Sequence, residues 1–328
     1  MATGDNSNPV RFGYGQSAVD PRNLYLKVFG GEVLAAFDLA VMFKNFVEVR
    51  SGVRGVKSIS FPKTWKATSE YHTPGTELLG TDIDTTEIVI TLDDILVSHV
   101  AIADLDEMLS HFEVRSKFSA AMGQELAKVD DKNVARQIIL ASRTAADGPF
   151  PAGNTVTDST LVNTGAIDGS AWIDAIRYAN ELLFAKDVPE SLPRYFATNL
   201  AVFNAMKYAT DSNGKRILLD TDLGGPQAGG IPGRIHTLNV DGVQVMVSRN
   251  LPTTNESADA TVYSKYRADF STTTAMLWTP MAVASARVME IGFETARDVR
   301  RLEDFMLAKM FVGNGTLRPE CAVEFKTS

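Results

Sequence analysis

Two short segments in the first third of the chain alternate between apolar and polar positions. In residues 56–61, Ile59 and Phe61 point one way and Ser58 and Ser60 the other; in 87–92, Ile88, Ile90 and Leu92 oppose Val89 and Thr91. A period of two places successive side chains on opposite faces, so both segments are predicted as strands. The 62–86 stretch between them is polar and contains Trp65, Tyr71, Pro74, Gly75 and Gly80. Connections of that length are uncommon in compact domains. With a strand on each side, it is predicted to form a long hairpin projecting from the body; a plain surface loop is the competing reading.

The period then changes. Residues 104–143 contain no proline; Asp104 is placed to cap a helix, with Glu107 three residues on, and Leu105, Met108, Phe112, Phe118, Met122, Leu126 and Val129 recur at helical intervals. A continuous helix there would be about 60 Å long, with Gly123 and the polar run 130–133 as the points expected to weaken it. Ser170 is predicted to cap a second helix, with Ile173, Ile176, Asn180 and Leu183 on one face, Trp172, Ala175, Ala179 and Leu182 beside it, and Pro189 as its stop. Residues 195–198 read as a buried strand and 200–208 as a short helix. Residues 235–240 and 243–248 read as a hairpin about Asp241-Gly242. Strands are expected over 286–325, where Met289, Ile291 and Phe293 alternate with Glu290, Gly292 and Glu294; 305–312 fits either a strand or a helix. Toward the start, 24–28 reads as a strand and 32–44 as a short helix. The first 23 residues, rich in Gly, Asn, Ser and Asp, read as an arm, and 148–169 as a turn-rich linker. The pattern as a whole is mixed α+β with segregated strands.

Composition narrows the function classes. A chain of 328 residues with 45% hydrophobic and 22% charged residues has material for about two domains. No apolar run approaches the roughly 20 residues that cross a bilayer, and residues 1–9 lack the basic-then-apolar order of a signal peptide. The single cysteine, Cys321, excludes an intrachain disulfide and fits a reducing compartment. The net charge is −8, and no Lys/Arg cluster is longer than Arg300-Arg301, which argues against specific binding of nucleic acid through its phosphates.

Enzyme motifs are missing. The Gly-rich segment 224–233 is followed by no Lys-Ser or Lys-Thr, and Pro226 and Pro232 remove amide donors that a phosphate cradle would use; it reads as a loop. His72, His99, His111 and His236 form no HExxH pair, and none lies near Cys321. No catalytic, metal or cofactor-binding residue is assigned, and no cofactor is expected. Arg297, Arg300 and Arg301 alternate with Glu294, Asp298 and Glu303. On a solvated surface, the reading the residues alone favour, such charges contribute little; at a subunit interface they would set register and partner choice.

Two stretches bring in a family. LYLKVFGGEVL at 24–34 and LRPECA at 317–322, the latter preceded by Ala308-Lys309-Met310 and Gly313-Asn314-Gly315, resemble the major capsid proteins of short-tailed (podovirus-type) double-stranded DNA bacteriophages. HFEVRSKFSAAMGQEL at 111–126 is similar to the start of that family's long helix, and 71–78, with Pro74-Gly75, to the tip of its projecting loop. The resemblance touches both ends and the first half, and is weak over 148–279. It implies the HK-ninety-seven-like tailed-phage capsid fold: an N-terminal arm (1–50), an extended loop with its flanking strands (51–92), a peripheral domain with a long spine helix (93–165 and 280–328) and an axial domain (166–279). It further implies hexamers and pentamers in an icosahedral head around double-stranded DNA, assembled in the host cytoplasm. A separate scaffolding protein, a portal at one vertex, no membrane and no specific DNA binding belong to the same expectation. Within this frame the expected subunit-interface residues are Lys27, Phe29 and Glu32, Trp65, Tyr71 and Pro74, Arg297, Arg300 and Arg301, and Arg318 and Glu320. Trp65 and Tyr71 are the aromatic type that anchors interfaces. The alternatives are an encapsulin-type nanocompartment shell and an unrecognised hydrolase with His72 or His236 as base.

Overall fold

The computed structural model describes residues 42–327 except 53–54, 65–68, 70, 73–74, 76, 78–79, 81–82, 84, 104–114, 212–213 and 218–236. The helices are α1 (Arg115–Ser142), α2 (Gly169–Ala185) and α3 (Leu200–Lys207). The strands are β1 (Glu48–Ser51), β2 (Ser58–Thr64), β3 (Thr85–Thr91), β4 (Leu96–Ala103), β5 (Asn154–Thr157), β6 (Arg194–Thr198), β7 (Thr237–Val240), β8 (Val243–Val247), β9 (Thr273–Trp278), β10 (Val283–Asp298), β11 (Glu303–Thr316) and β12 (Ala322–Lys326). They form sheets of order β1-β10-β11-β4, β5-β12-β9-β6-β8-β7 and β2-β3.

The described residues fall into two units, one holding Asp93–Asp131 and Arg287–Val312, the other Phe43–Leu92, Lys132–Ala286 and Gly313–Ser328. These bounds differ from the expected division: 132–165 and the C-terminal segment group with 166–279.

In the first unit, β4 and β11 pair antiparallel from Leu96↔Met310 to Ala103↔Glu303. The first half of α1 is amphipathic, which is why it lies on this sheet. Met122, Leu126 and Ala127 pack against Ala308, Met310 and Val312, flanked by Leu96, Val100, Ile291 and Phe293. Gln124, Glu125 and Lys128 face solvent. The polar run at 130–133 does not weaken the helix, because its carboxylates are used. Asp130 accepts from Arg287 at 2.8 Å, with both side chains enclosed, and Asp131 accepts the Met42 amide at 3.0 and 2.9 Å. The helix is continuous for 28 residues, about 42 Å at 1.5 Å per residue. Its expected start at Asp104, with Leu105, Met108, His111 and Phe112, lies outside the described residues.

In the second unit α1 is enclosed on most sides, with Val134, Ala135, Ile138, Ile139 and Ala141 fully buried. Its polar residues, and Arg143 just past its end, reach distant chain: Arg136 clasps Glu256 at 2.7 and 3.1 Å, Gln137 donates to Thr316 at 2.9 Å, and Arg143 clasps Glu324 at 2.8 and 2.6 Å. The six-stranded sheet mixes directions: β5 is parallel to β12 and β6 to β8, while β12–β9, β9–β6 and β7–β8 are antiparallel. The β7–β8 turn is Asp241-Gly242, as the sequence predicts, with φ of 47° and 83°. Helix α2 buries Trp172, Ile173, Ile176, Ala179 and Leu183. The Trp172 ring lies 6.0 Å from both Phe196 and Phe325, which meet edge-on at 5.3 Å.

Several expectations need correcting. The cap of α2 is Asp168, not Ser170: its carboxylate accepts the amides of Ser170 at 2.9 Å and Ala171 at 3.5 Å. The Ser170 hydroxyl and these amides hold that carboxyl below its ordinary range. The helix begins two residues earlier than a cap at Ser170 would place it, and position 169 must be glycine; a Cβ there would sit 2.1 Å from the Ala205 carbonyl oxygen. Helix α2 also ends before Pro189, at Ala185, with Asp187 at φ 57°. Residues 305–312 are strand. Strand β5 lies in the expected linker, and β1, β4 and β9 fall where no element was expected. Residues 24–28 and 32–41 lie outside the description, and Phe43–Phe46 is a single 3-10 turn.

Candidate assembly surfaces

The two predicted strands are present and pair with each other, while most of 65–84, the predicted projection beyond them, lies outside the described residues. β2 and β3 pair antiparallel from Ser58↔Thr91 to Thr64↔Thr85, and the alternation sets their faces. Phe61 and Ile90 point inward and are 2% exposed, forming a cluster with Ala284, Ala286 and Leu317 that Ile59, Ile88 and Leu92 complete. The root is packed too closely for larger residues. A Cβ on Gly313 would lie 2.4 Å from the Thr91 carbonyl oxygen, and one on Gly315 would lie 2.8 Å from Ile90. Polar contacts fix it further: Lys265 donates to the Thr91 carbonyl at 3.1 Å, the Asn314 amide to the Tyr266 hydroxyl at 3.0 Å, and Arg50 to the Ser60 carbonyl at 2.8 Å, its guanidinium 4.5 Å over Phe61. The 313–315 and 317–322 motifs thus form the seat of the hairpin.

A charged cluster lies in that seat. Lys63, inward-facing and 5% exposed, holds its amine 3.9 Å over the Phe150 ring. Burial pulls its pKa down, and Glu320 partly opposes that. Glu320 is 3% exposed, 3.8 Å from the Arg318 guanidinium, and neither carboxylate oxygen accepts a hydrogen bond. The neighbouring Cys321 thiol is pushed up to about 11 by burial. Glu320 is therefore enclosed by its own subunit, and its place is beneath the hairpin rather than on an exposed face; Arg318 is half-exposed beside it. Neither Lys63 nor Phe150 was singled out in the sequence. The strand parity that put Phe61 inward puts Lys63 inward too, and was the signal available.

Farther along the hairpin, Tyr71 is fully exposed, while Trp65 and Pro74, like Lys27, Phe29 and Glu32 in the arm, lie outside the described residues. A second projection is the turn joining β10 to β11. Val299 and Leu302 are 71% and 59% exposed there, and Leu302 is held at φ 52°, a left-handed conformation that costs about 1–2 kcal/mol outside glycine. Around it Arg297 approaches Asp304 at 3.9 Å, and Arg301 approaches Asp298 at 3.9 Å and Glu303 at 3.7 Å. The Asp298 carboxylate accepts the Arg300 amide at 2.9 Å. In the single subunit these arginines are solvated, and the hairpin tip brings all three together.

The arrangement does not gather chemistry. Among the described residues no three His, Cys, Asp or Glu side chains are grouped to hold a metal ion, and no helix is long and apolar enough to cross a membrane. A cavity of about 970 Å³ is lined by Asn163, Asn199, Ser248, Arg249 and Thr274 among others; neither of the described histidines, His72 and His99, lies in it. His99 sits on β4 with its ring 5.7 Å from Phe305. His111, His236 and the 224–233 segment lie outside the described residues.

Comparison with known proteins identifies the class. The chain matches the Gp10A-like major capsid protein model over residues 60–326. It is 30% identical over 336 aligned positions to the major capsid protein of Enterobacteria phage T3, covering 94% of this chain and 93% of that protein. The capsid structure of Cyanophage P-SCSP1u superposes with a TM-score of 0.71 at 31% identity, covering 95% of each chain. The mature capsid of bacteriophage PhiM1 gives 0.70 at 18% identity over 100% of this chain and 99% of that one, a likeness of fold. The fold is thus the HK-ninety-seven-like capsid fold, and the molecule is a structural protein of the virion capsid that builds phage heads by homo-oligomerisation, not an enzyme. The chain belongs to the Gp10A-like major capsid protein family.

Proposed function

We propose that this chain assembles as hexamers and pentamers into an icosahedral head that encloses double-stranded DNA without binding it specifically. A separate scaffolding protein guides assembly, and a portal occupies one vertex. The observation that carries the reading is the seated hairpin: a projection whose root is fixed by backbone-close glycines and buried side chains, and whose far part, as far as it is described, contributes nothing to its own core. Such a projection is suited to reach a neighbouring copy. Rings of five and six from one sequence need contacts of the head-to-tail kind that close on themselves, and the arm and the hairpin are the adaptable parts. The arm (1–50), extended loop (51–92), peripheral (93–165 and 280–328) and axial (166–279) divisions are proposed on the same basis.

The interface residues proposed are Lys27, Phe29 and Glu32 in the arm, Trp65, Tyr71 and Pro74 on the loop, and Arg297, Arg300 and Arg301 at the second hairpin tip. Arg318 and Glu320 act beneath the loop, holding it at its root. Electron microscopy of the purified protein, alone and co-expressed with its scaffold, tests the reading. Closed icosahedral shells with five- and six-fold capsomers are expected; a strictly monomeric protein under both conditions would overturn it.

A further inference from the structure

Among the described strands, β4 has an edge unlike every other. It terminates the β1-β10-β11-β4 sheet, is eight residues long, and reads LVSHVAIA, with no Lys, Arg, Asp, Glu or Pro. Edge strands present unpaired backbone donors and acceptors, and proteins blunt them with brevity, charge or proline. The other edges obey this. β1 has four residues including Glu48 and Arg50; β5 and β7 have four residues each; β2 carries Pro62 and Lys63, and β3 carries Glu87. On β4, Val97 is 48% exposed and His99 is exposed, and Ile95 just before the strand is 54% exposed. All eight residues are in register with β11, so about half of their backbone groups point away from it.

We infer that β4 is an assembly edge, covered in the shell by an extended segment of a second copy of this chain, joined to it through backbone hydrogen bonds. This rests on the shell reading given above. A second copy is the fitting occupant because every subunit carries the same edge, unpaired among the described residues. Only a partner present in equal number covers them all, and a head-to-tail contact repeated around a ring does this. A portal at one vertex leaves nearly all such edges bare.

Hydrogen–deuterium exchange on the full-length wild-type protein is the test. In free subunits about half of the amides over residues 96–103 exchange fast, and in purified shells they slow by about tenfold or more. Val97→Lys and His99→Lys, which place a charge beside the edge at exposed positions, leave the subunit's circular dichroism unchanged and abolish shells; Tyr178→Lys, at an exposed position on α2, leaves shells intact. Equal exchange of this strand in free subunits and shells overturns the inference. Protection already complete in the free subunit does the same, since the chain would then be covering its own edge, as does protection that appears only when the scaffold is bound and is lost in finished shells. Those outcomes leave the capsid reading standing; wild-type protein that forms no shells overturns both. The wild-type exchange decides the matter whether or not either variant folds.

Discussion

Glu324 is a fully enclosed carboxylate held by three hydrogen bonds from two residues, with the Lys326 amine 3.3 Å away. Arg143 clasps it at 2.8 and 2.6 Å, and the Thr273 hydroxyl donates to it at 2.5 Å. The same guanidinium donates to the Asp269 carbonyl at 2.7 Å and lies 5.3 Å from the Phe270 ring, so one pair joins the end of α1 to β12 and to the chain before β9. Removing one partner of a buried pair leaves the other charge uncompensated, which costs about 3–5 kcal/mol. Arg143 retains some solvent contact, so Glu324→Ala is expected at the lower end of that range, read as a fall in the midpoint of urea unfolding. Cys321 gives a second prediction at this scale. Its thiol is raised from 9.0 to about 11, chiefly by burial. A raised pKa favours the neutral form in the fold, so its contribution to stability is full below pH 9 and is lost as pH rises through 11. Lys63 and Lys186 have lowered values and act oppositely, so the effect is to be read as the stability difference between wild type and Cys321→Ala from pH 8 to 11. Iodoacetamide should leave the native thiol unmodified at pH 8 and alkylate it after denaturation.

At the scale of elements, α1 and the hairpin root carry the most specific consequences. Leu126 is 2% exposed on the sheet-facing side of α1. Leu126→Pro removes a helix hydrogen bond and clashes with the preceding turn, costing about 3 kcal/mol or more, and lost burial adds to that; the variant is expected to be insoluble or unable to assemble. Gly313→Ala forces a methyl against the Thr91 carbonyl at 2.4 Å. Backbone must move, so a loss of about 1–3 kcal/mol and faster proteolysis within the hairpin are expected. These elements also mark where the sequence is readable. Alternation identified β2, β3 and the 289–294 part of β10 because apolar and polar residues take opposite faces there; helical spacing identified α1 and α2; Asp-Gly identified the β7–β8 turn. Strand β9 was invisible because all six of its residues are buried, so no period appears. Strand β5 is four residues beside turn signals, and pairs with β12 at the other end of the chain, information no local window holds. The second half of α1 hides its carboxylates in partnerships with residues far along the chain, so its polar run read as weakness. The interface residues proposed for the arm rest only on family resemblance.

At the scale of the whole molecule, the question is how much of the chain serves the subunit and how much serves the shell. The described residues within 65–84, namely Ser69, Tyr71, His72, Gly75, Glu77, Gly80 and Ile83, are all exposed. Removing these residues should therefore cost the subunit almost no buried apolar area, at about 25 cal/mol per Å². The register dictates how to remove the segment. Thr64 faces Thr85, so replacing 65–84 with Asn-Gly joins a matched pair through the two-residue turn that antiparallel strands favour. A cut one residue earlier would slip the pairing and turn side chains to the wrong face. Phe61, Ile90, Lys63 and the glycine seat remain untouched. The shortened subunit is expected to keep its circular dichroism and its urea midpoint within about 0.5 kcal/mol, as surface changes do, while shells fail to form. In the intact protein, limited proteolysis should cut first within 65–84 in free subunits and spare it in shells, where Trp65 and Tyr71 are proposed to lie against a neighbour. Shells of normal size from the shortened chain would show that the hairpin is an ornament of the subunit, and that the contacts closing the head are made by the arm and the sheet edges alone.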